Sequence, residues 1–138
     1  MIDTHCHLND SKFDGEVETI VNNFLSAGVD KAICIGCDNV SNKKAKEIAT
    51  TFNCVFYSVG IHPDDCDSYD KQELEEYLKA NDKKLVAVGE IGLDYYHNKE
   101  NKQKQIETFC SQIELAKQYK LPIVIHCRDA YGDMLEVL

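Results

Sequence analysis

The chain has 138 residues, of which 43% are hydrophobic and 28% charged, as is typical of one globular domain with a single hydrophobic core. Its net charge of −9, from 15 basic and 24 acidic residues, argues against broad, non-specific binding to nucleic acid, which requires many neutralised phosphates. No apolar run approaches the ~18 residues of a membrane span, and the N-terminus lacks the basic and apolar regions of a signal peptide. We therefore expect a cytoplasmic protein with no membrane partner.

Seven cysteines are scattered along the chain. An odd number without an export signal indicates reduced thiols. Cys34 and Cys37 form a C-x-x-C pair, which is compatible with a redox couple or with half of a zinc site. No second Cys or His pair follows at zinc-finger spacing, and the pair lies at the end of a strand-like run, where cysteine is common as a small apolar residue. We therefore favour a structural role for this pair.

The first two predicted strands cover residues 1–7 and 31–36. Their near-continuous apolar character is typical of strands buried on both faces. Between them, apolar residues recur at helical spacing over 17–24, and this pattern ends at Gly28, a residue type that is common just after a helix. A second, shorter helical pattern follows the second strand, with Ser41 as its predicted N-cap.

The same alternation continues to the end of the chain. Further strands are predicted over 54–60, 85–91 and 122–127, with a helix around Leu74 and a longer helix that stops before Pro122. The C-terminal residues have the pattern of a fifth helix. This order predicts parallel strands joined by right-handed crossovers. The pattern alone leaves a doubly wound sheet and an incomplete (β/α) barrel open, although no Gly-rich phosphate-binding fingerprint supports the former.

Metal-ligand residue types recur where the predicted strands end. His5 and His7 share one face of the first strand, because side chains alternate along a strand. His62 follows the third strand, Glu90 lies near the end of the fourth, and His126 lies at the end of the fifth. The carboxyl ends of parallel strands meet at one edge of the sheet, which is where α/β proteins form their sites. The sequence therefore predicts that these side chains converge.

A metal site explains this convergence better than unrelated packed or solvated histidines, although a single histidine in a strand is usually one of these. A buried Glu90 would be costly without a cation. Imidazole and carboxylate suit zinc, manganese, iron, nickel or cobalt, and such ions commonly support hydrolysis of esters and amides. Arg128, beside His126, offers a planar fork for a substrate phosphate or carboxylate, with a structural ion pair as the alternative.

Four ordered motifs, IDTHCHL, GIHP, VGEIGLDYY and LPIVIHCRDA, resemble those of the TatD family of metal-dependent deoxyribonucleases, which belongs to the amidohydrolase-like (β/α) barrel metalloenzymes. The resemblance covers essentially the whole chain. It implies an α/β fold of the TIM-barrel type that is incomplete, with five parallel strands and intervening helices. Because a complete barrel requires about 250 residues, residues 1–138 are expected to form the N-terminal part of such a hydrolase.

The resemblance also implies roles for individual residues. The positions similar to the family's metal ligands are His5, His7, Glu90 and His126. Glu90 resembles the catalytic carboxylate that bridges two ions, and Arg128 and His62 occupy positions that contact substrate phosphate or line the pocket. Two divalent ions per complete site, such as Mg, Mn or Zn, are implied, together with hydrolysis of DNA or another phosphodiester by metal-activated water. For Asp94 and Tyr95, an interpretation as loop and packing residues is at least as well supported.

The chain departs from the family pattern in one respect. The family supplies a further histidine after strand 5 and an aspartate near the end of strand 8, and neither has a counterpart within these 138 residues. Three functions therefore remain open: a truncated TatD-type phosphodiesterase, a related hydrolase of another ester or amide, and a non-catalytic metal-binding fragment. An exposed apolar edge at the fifth strand would also invite self-association.

Overall fold

The computed structural model describes residues 1–97 and 99–138, within which five parallel strands form one sheet in the order β1-β2-β3-β4-β5. The strands are β1 (Ile2–Cys6), β2 (Lys31–Ile35), β3 (Val55–Val59), β4 (Leu85–Asp94) and β5 (Ile123–Arg128). The helices are α1 (Val17–Asn22), α2 (Asn39–Thr51), α3 (Lys71–Lys79), α4 (Lys102–Tyr119) and α5 (Tyr131–Val137). Short 3₁₀ turns lie at Ser11–Phe13, Pro63–Ser68 and Lys99–Asn101.

The strand order distinguishes between the two architectures that the sequence pattern left open. Each strand pairs in parallel with the strand that follows it along the chain. A doubly wound sheet would instead reverse its order at a switch point. The consecutive order is that of a TIM-type barrel, and these strands with their helices form about half of one. This confirms the predicted incomplete (β/α) barrel.

The core lies between the sheet and the helices that cover it. Helix α4 packs on β4, and α2 packs on β2 and β3. The fully buried apolar side chains include Cys34, Ile35, Val55, Tyr57, Val59, Val88, Ile91, Leu93, Phe109 and Leu115. The burial of Cys34 supports a structural role for this cysteine. All seven cysteines, each of which lies in the described ranges, are free thiols.

The beginning of α2 corrects one sequence-based prediction. Its N-cap is Asp38, which has an extended backbone, whereas Ser41 already lies inside the helix at the third position. The Asp38 carboxylate accepts the Ser41 N–H at 2.6 Å, and the Ser41 hydroxyl accepts the Asp38 N–H at 2.8 Å. The two residues form a capping box. The prediction of Ser41 as N-cap was wrong. Both residues of a capping box carry a side-chain oxygen that can accept a main-chain N–H, so the residue type alone does not show which of the two begins the helix.

Strand β4 extends beyond its predicted end at residue 91. Gly92, with φ 151°, pairs with His126 within the β4–β5 ladder, and Asp94 pairs with Arg128. Asp94 is therefore the last residue of the strand, and the interpretation of this residue as part of a loop was wrong. Consequently, its side chain lies at the same edge of the sheet as Glu90 and His126.

The outer strands leave apolar surface uncovered. In the described part of the chain, β1 and β5 each have only one strand neighbour. Ile2 on β1 is 58% exposed and Ile125 on β5 is 40% exposed. Among the described residues, no helix combines the length and the apolar character needed to cross a membrane.

Candidate metal centre

Glu90 lies between two groups of histidines at the carboxyl edge of the sheet. Its Oε2 atom is 3.3 Å from His5 Nε2 and 3.9 Å from His7 Nε2. Its Oε1 atom is 3.2 Å from His126 Nδ1. Side chains on or directly after β1 and on β5 thus approach different oxygens of one carboxylate on β4, which is largely buried with 12% of its side chain exposed.

The donor atoms of these residues fit a divalent cation. Those of His5, His7 and Glu90 all lie within 4.8 Å of one another, as do those of His62, Glu90 and His126. In particular, the two Nε2 atoms of His5 and His7 are 3.2 Å apart. Lone pairs that converge in this way repel one another unless a proton or a cation lies between them. Imidazole and carboxylate are the ligands that zinc and similar ions prefer.

Asp94 is a site residue that sequence reasoning missed. Its Oδ1 atom accepts the main-chain N–H groups of Tyr96 and His97, each at 2.9 Å. Its Oδ2 atom lies 3.0 Å from His126 Nε2 and 3.0 Å from His97 Nδ1. Burial alone would raise the pKa of Asp94, but these partners outweigh burial and hold the pKa well below its usual range. The carboxylate is therefore ionised and acts as an acceptor.

His62 enters the site from the loop after β3. Its Nδ1 atom accepts the main-chain N–H of Asp64 at 3.2 Å, and its ring contacts that of His126 with the centroids 4.2 Å apart. The Asp64 carboxylate lies 3.5 Å from the same nitrogen, beyond the usual hydrogen-bond distance. Burial and the neighbouring His126 lower the pKa of His62, which favours the neutral ring. With Nδ1 accepting, the proton is on Nε2, and His62 is a donor.

Arg128 lies at the rim of the site rather than within it. It is the exposed last residue of β5, and its guanidinium carbon lies 3.9 Å from the centroid of the Tyr96 ring. It forms no ion pair with any carboxylate in the part of the chain that the structure describes. The structural ion pair considered as the alternative role of Arg128 is thus not observed there, and the guanidinium edge remains available for an anion.

The second cysteine of the C-x-x-C pair lies beside the Glu90 carboxylate. Cys37 Sγ lies 4.0 Å from both His7 Nδ1 and Glu90 Oε2. Burial and the Glu90 carboxylate raise the pKa of Cys37 to about 12. This favours the thiol over the thiolate, which is the nucleophilic form.

Buried amide side chains hold the main chain at this edge of the sheet. Each bonds both the N–H and the C=O of one residue: Asn42 bonds Gly60, Gln112 bonds Ile61, and Gln105 bonds Asp94. Gln105 and Gln112 lie seven residues apart on the buried face of α4. The sequence does contain a signal for this role: two glutamines, seven residues apart, interrupt the apolar face of a predicted helix. That signal was overlooked.

Replacement of Gln112 by Met is expected to lower the free energy of unfolding by roughly 2–5 kcal/mol, because each unpaired buried polar group costs about 1–3 kcal/mol. The substitution keeps the length of the side chain but leaves the Ile61 N–H and C=O without their partner, at 2.8 and 3.0 Å in the native protein. Urea unfolding measures the effect. Gln118→Met, on the exposed side of the same helix, should change stability by less than about 0.5 kcal/mol. Equal stabilities of the two variants would contradict this role of Gln112.

Comparisons with known proteins place these residues in a family context. The sequence model described as TatD related DNase matches residues 2–138. The chain is 35% identical over 140 residues to the uncharacterized metal-dependent hydrolase YabD of Bacillus subtilis, and 30% identical over 140 residues to the 3′-5′ ssDNA/RNA exonuclease TatD of Citrobacter koseri. Both comparisons cover 100% of this chain and 54% of the relative. The chain thus spans about half the length of these curated relatives.

A comparison of structures gives the same result. The crystal structure of YjjV, a TatD homolog from Escherichia coli K12, matches with a TM-score of 0.92 at 29% sequence identity. The match covers 99% of this chain and 54% of that one. The half-barrel fold is therefore shared with a larger, solved protein.

Proposed function

The chain belongs to the TatD related DNase family, and from this premise we propose that the protein is a metal-dependent hydrolase of phosphodiester bonds in DNA. One observation carries the proposal: the two oxygens of Glu90 face separate groups of imidazoles, with His5 and His7 on one side and His126 on the other. This is the arrangement expected of a carboxylate shared by two ions. A relative is named a 3′-5′ ssDNA/RNA exonuclease, which supports nucleic acid as the substrate class.

We propose that four residues hold two divalent ions, such as Mg, Mn or Zn. His5 and His7 would hold the first ion, His126 the second, and Glu90 would bridge them. When bound, such ions neutralise phosphate charge and lower the pKa of water. These ligands lie on or directly after three strands of one sheet, so little rearrangement is needed to bind metal.

His62 and Arg128 are proposed to bind the substrate. The Nε2–H of His62 is a neutral donor beside the Glu90 group, suited to a phosphate oxygen. The Arg128 guanidinium, which packs on Tyr96, offers its N–H fork to a phosphate at the rim. His62 would supply a hydrogen-bond donor and Arg128 a positive charge. Because the net charge of the chain is −9, we expect the nucleic acid to bind at these two groups and the metal ions rather than over a broad surface.

A cleavage assay tests the proposed function. The purified chain is incubated with an end-labelled single-stranded DNA oligonucleotide and Mn²⁺ or Mg²⁺, with a chelator in parallel. We expect shortened products that disappear with the chelator. Carboxylic ester and amide substrates are assayed beside the DNA, because YabD is named only a metal-dependent hydrolase. Turnover of those substrates without cleavage of DNA would contradict the nuclease assignment, and metal binding without any turnover would indicate a non-catalytic metal-binding fragment.

We further propose that residues 1–138 correspond to the N-terminal part of a complete barrel, and that the protein acts in the cytoplasm. The first proposal is supported by relatives that are covered over only 54% of their length. The second is supported by the free thiols of all seven cysteines, which lie within the described residues and suit a reducing compartment. Cell fractionation with an antibody to the chain would test the location.

The open edges of the sheet are proposed to make this chain self-associate. Unpaired edge strands template pairing with another chain, and a charged side chain on the edge opposes it. We expect the chain to sediment as a dimer or larger species at micromolar concentration, and Ile125→Lys on β5 to shift it towards the monomer. Val40→Lys, which adds the same charge at an exposed position on α2, should leave the distribution unchanged. A monomer at every concentration would contradict the proposal.

A further inference from the structure

We propose that Asp94 is a positioning residue that fixes the His126 ring with Nδ1 free to bind a metal ion. The inference rests on the proposed function, because it requires His126 to be a ligand of the metal centre around Glu90. The two carboxylates lie on opposite nitrogens of one imidazole: Asp94 Oδ2 is 3.0 Å from Nε2, and Glu90 Oε1 is 3.2 Å from Nδ1. Nothing in the family resemblance assigned a role to Asp94.

The Asp94 carboxylate has little freedom to move. Its Oδ1 atom is held by two main-chain N–H donors, which cannot exchange donor and acceptor roles. The Asp94 main chain is itself held by Gln105, which accepts the Asp94 N–H at 2.8 Å and donates to the Asp94 C=O at 2.9 Å. The side chain is only 1% exposed, so water does not compete for Oδ2. Oδ2 therefore faces His126 in a fixed direction.

This direction determines the tautomer of His126. A neutral imidazole carries one N–H, and both nitrogens of His126 face a carboxylate oxygen. Asp94 is the closer acceptor, at 3.0 Å against 3.2 Å for Glu90, and its side chain is the more buried of the two, so the N–H lies on Nε2. With Nε2–H donated to Asp94, the lone pair of Nδ1 points towards Glu90. Metal-ligating histidines usually donate their other N–H to a carboxylate or carbonyl, and loss of that partner typically lowers metal affinity by about 10–100-fold.

His97 provides an internal reference. Its Nδ1 atom approaches the same Oδ2 oxygen of Asp94 at 3.0 Å, so its proton is expected on Nδ1. The two histidines that share Asp94 should therefore carry their protons on different nitrogens, which is a signature that a purely structural role of Asp94 does not require.

Nitrogen-15 NMR of the chain with labelled histidine tests the inference without metal or substrate. The spectrum is recorded after chelation, at a pH where the rings are neutral, and His126→Gln assigns the His126 signals by their disappearance. We expect the Nε2–H tautomer for His126 and the Nδ1–H tautomer for His97. A folded chain in which His126 carries its proton on Nδ1 would overturn the inference.

Asp94→Asn gives a second test, because the amide keeps the shape of the side chain. Its oxygen can still accept the two main-chain N–H groups, which turns its NH₂ group towards His126 Nε2 and moves the imidazole proton to Nδ1. We expect this tautomer switch in the NMR spectrum and a fall in Mn²⁺ affinity of about 10–100-fold by calorimetry. A folded variant with an unchanged tautomer and unchanged affinity would overturn the inference. If circular dichroism shows the variant to be unfolded, the spectrum of the wild-type chain decides.

Asp82→Asn is the matched control. Its carboxylate accepts the Tyr57 hydroxyl at 3.0 Å and the Lys84 N–H at 2.9 Å, just before β4 and therefore at the opposite end of the sheet. The tautomer of His126 and the Mn²⁺ affinity should not change in this variant. A wild-type chain that binds no Mn²⁺ would contradict the proposed function, whereas Mn²⁺ binding that Asp94→Asn leaves intact contradicts only the role of Asp94.

Discussion

Replacement of Glu90 by Gln is expected to abolish cleavage of DNA and to lower the Mn²⁺ affinity of the chain by more than about 100-fold. Loss of a residue that only hydrogen-bonds to a metal ligand typically lowers affinity by about 10–100-fold, and loss of a ligand itself should lower it further. The two oxygens of Glu90 face different groups of histidines, so one substitution affects both proposed ion sites. The amide removes the negative charge and turns one ligand oxygen into an NH₂ group, which has no lone pair for a metal. Calorimetric titration with Mn²⁺ and the oligonucleotide assay measure the two effects.

Glu114→Gln is the control for this prediction. Glu114 lies on α4 with 73% of its side chain exposed, and its partner Lys71 is 3.8 Å away. Because exposed ion pairs contribute little, this variant should bind Mn²⁺ and cleave DNA as the wild-type chain does. If Glu90→Gln retained wild-type affinity and activity, Glu90 could not be a shared ligand.

Replacement of Gly92 by Ala is expected to lower the free energy of unfolding by at least about 3 kcal/mol, from overpacking together with backbone strain. A Cβ atom at this position would lie 1.9 Å from the main-chain carbonyl oxygen of His126, and the residue has φ 151°, where side chains are strained. Strand β5 would have to move away from β4 and would carry His126 with it. We therefore also expect Mn²⁺ affinity to fall.

Gly132→Ala provides the comparison. Gly132 lies in α5, and an added Cβ would meet nothing within 4 Å. Alanine in a helix is more favourable than glycine by up to about 1 kcal/mol, so this variant should be as stable as the wild-type chain or slightly more stable. Thermal unfolding of both variants tests the pair. Equal stability of Gly92→Ala and the wild-type chain would show that β4 and β5 do not approach this closely.

Much of the fold could be predicted from the sequence because strand periodicity is a local signal. Apolar runs identified all the strands now described, and the rule that sites form at the carboxyl edge of parallel strands correctly brought His5, His7, Glu90 and His126 into one neighbourhood. The choice of a barrel over a doubly wound sheet followed from resemblance to a family, since the order of the strands in the sheet is not encoded in their periodicity.

The parts that escaped prediction depend on contacts between distant segments. The apolar run that predicted β4 ended at residue 91, so Asp94 was interpreted as a loop or packing residue although it contacts His126. The pairing of Gln112 with the main chain of Ile61 joins residues 51 positions apart, and no local pattern shows such a partner. One Glu90 oxygen faces His5 and His7, and the other faces His126. This arrangement depends on the register of β1, β4 and β5, which no local pattern shows.

The most direct test of two ions bridged by Glu90 is a crystal structure of this chain grown with Mn²⁺, with the ions located by anomalous scattering. We expect two peaks, one beside His5 and His7 and one beside His126, each at ligand distance from a different oxygen of Glu90. Peaks located instead at the neighbouring cluster of Asp64, Asp94 and His97, or no peak beside Glu90 at saturating Mn²⁺, would contradict the shared metal centre.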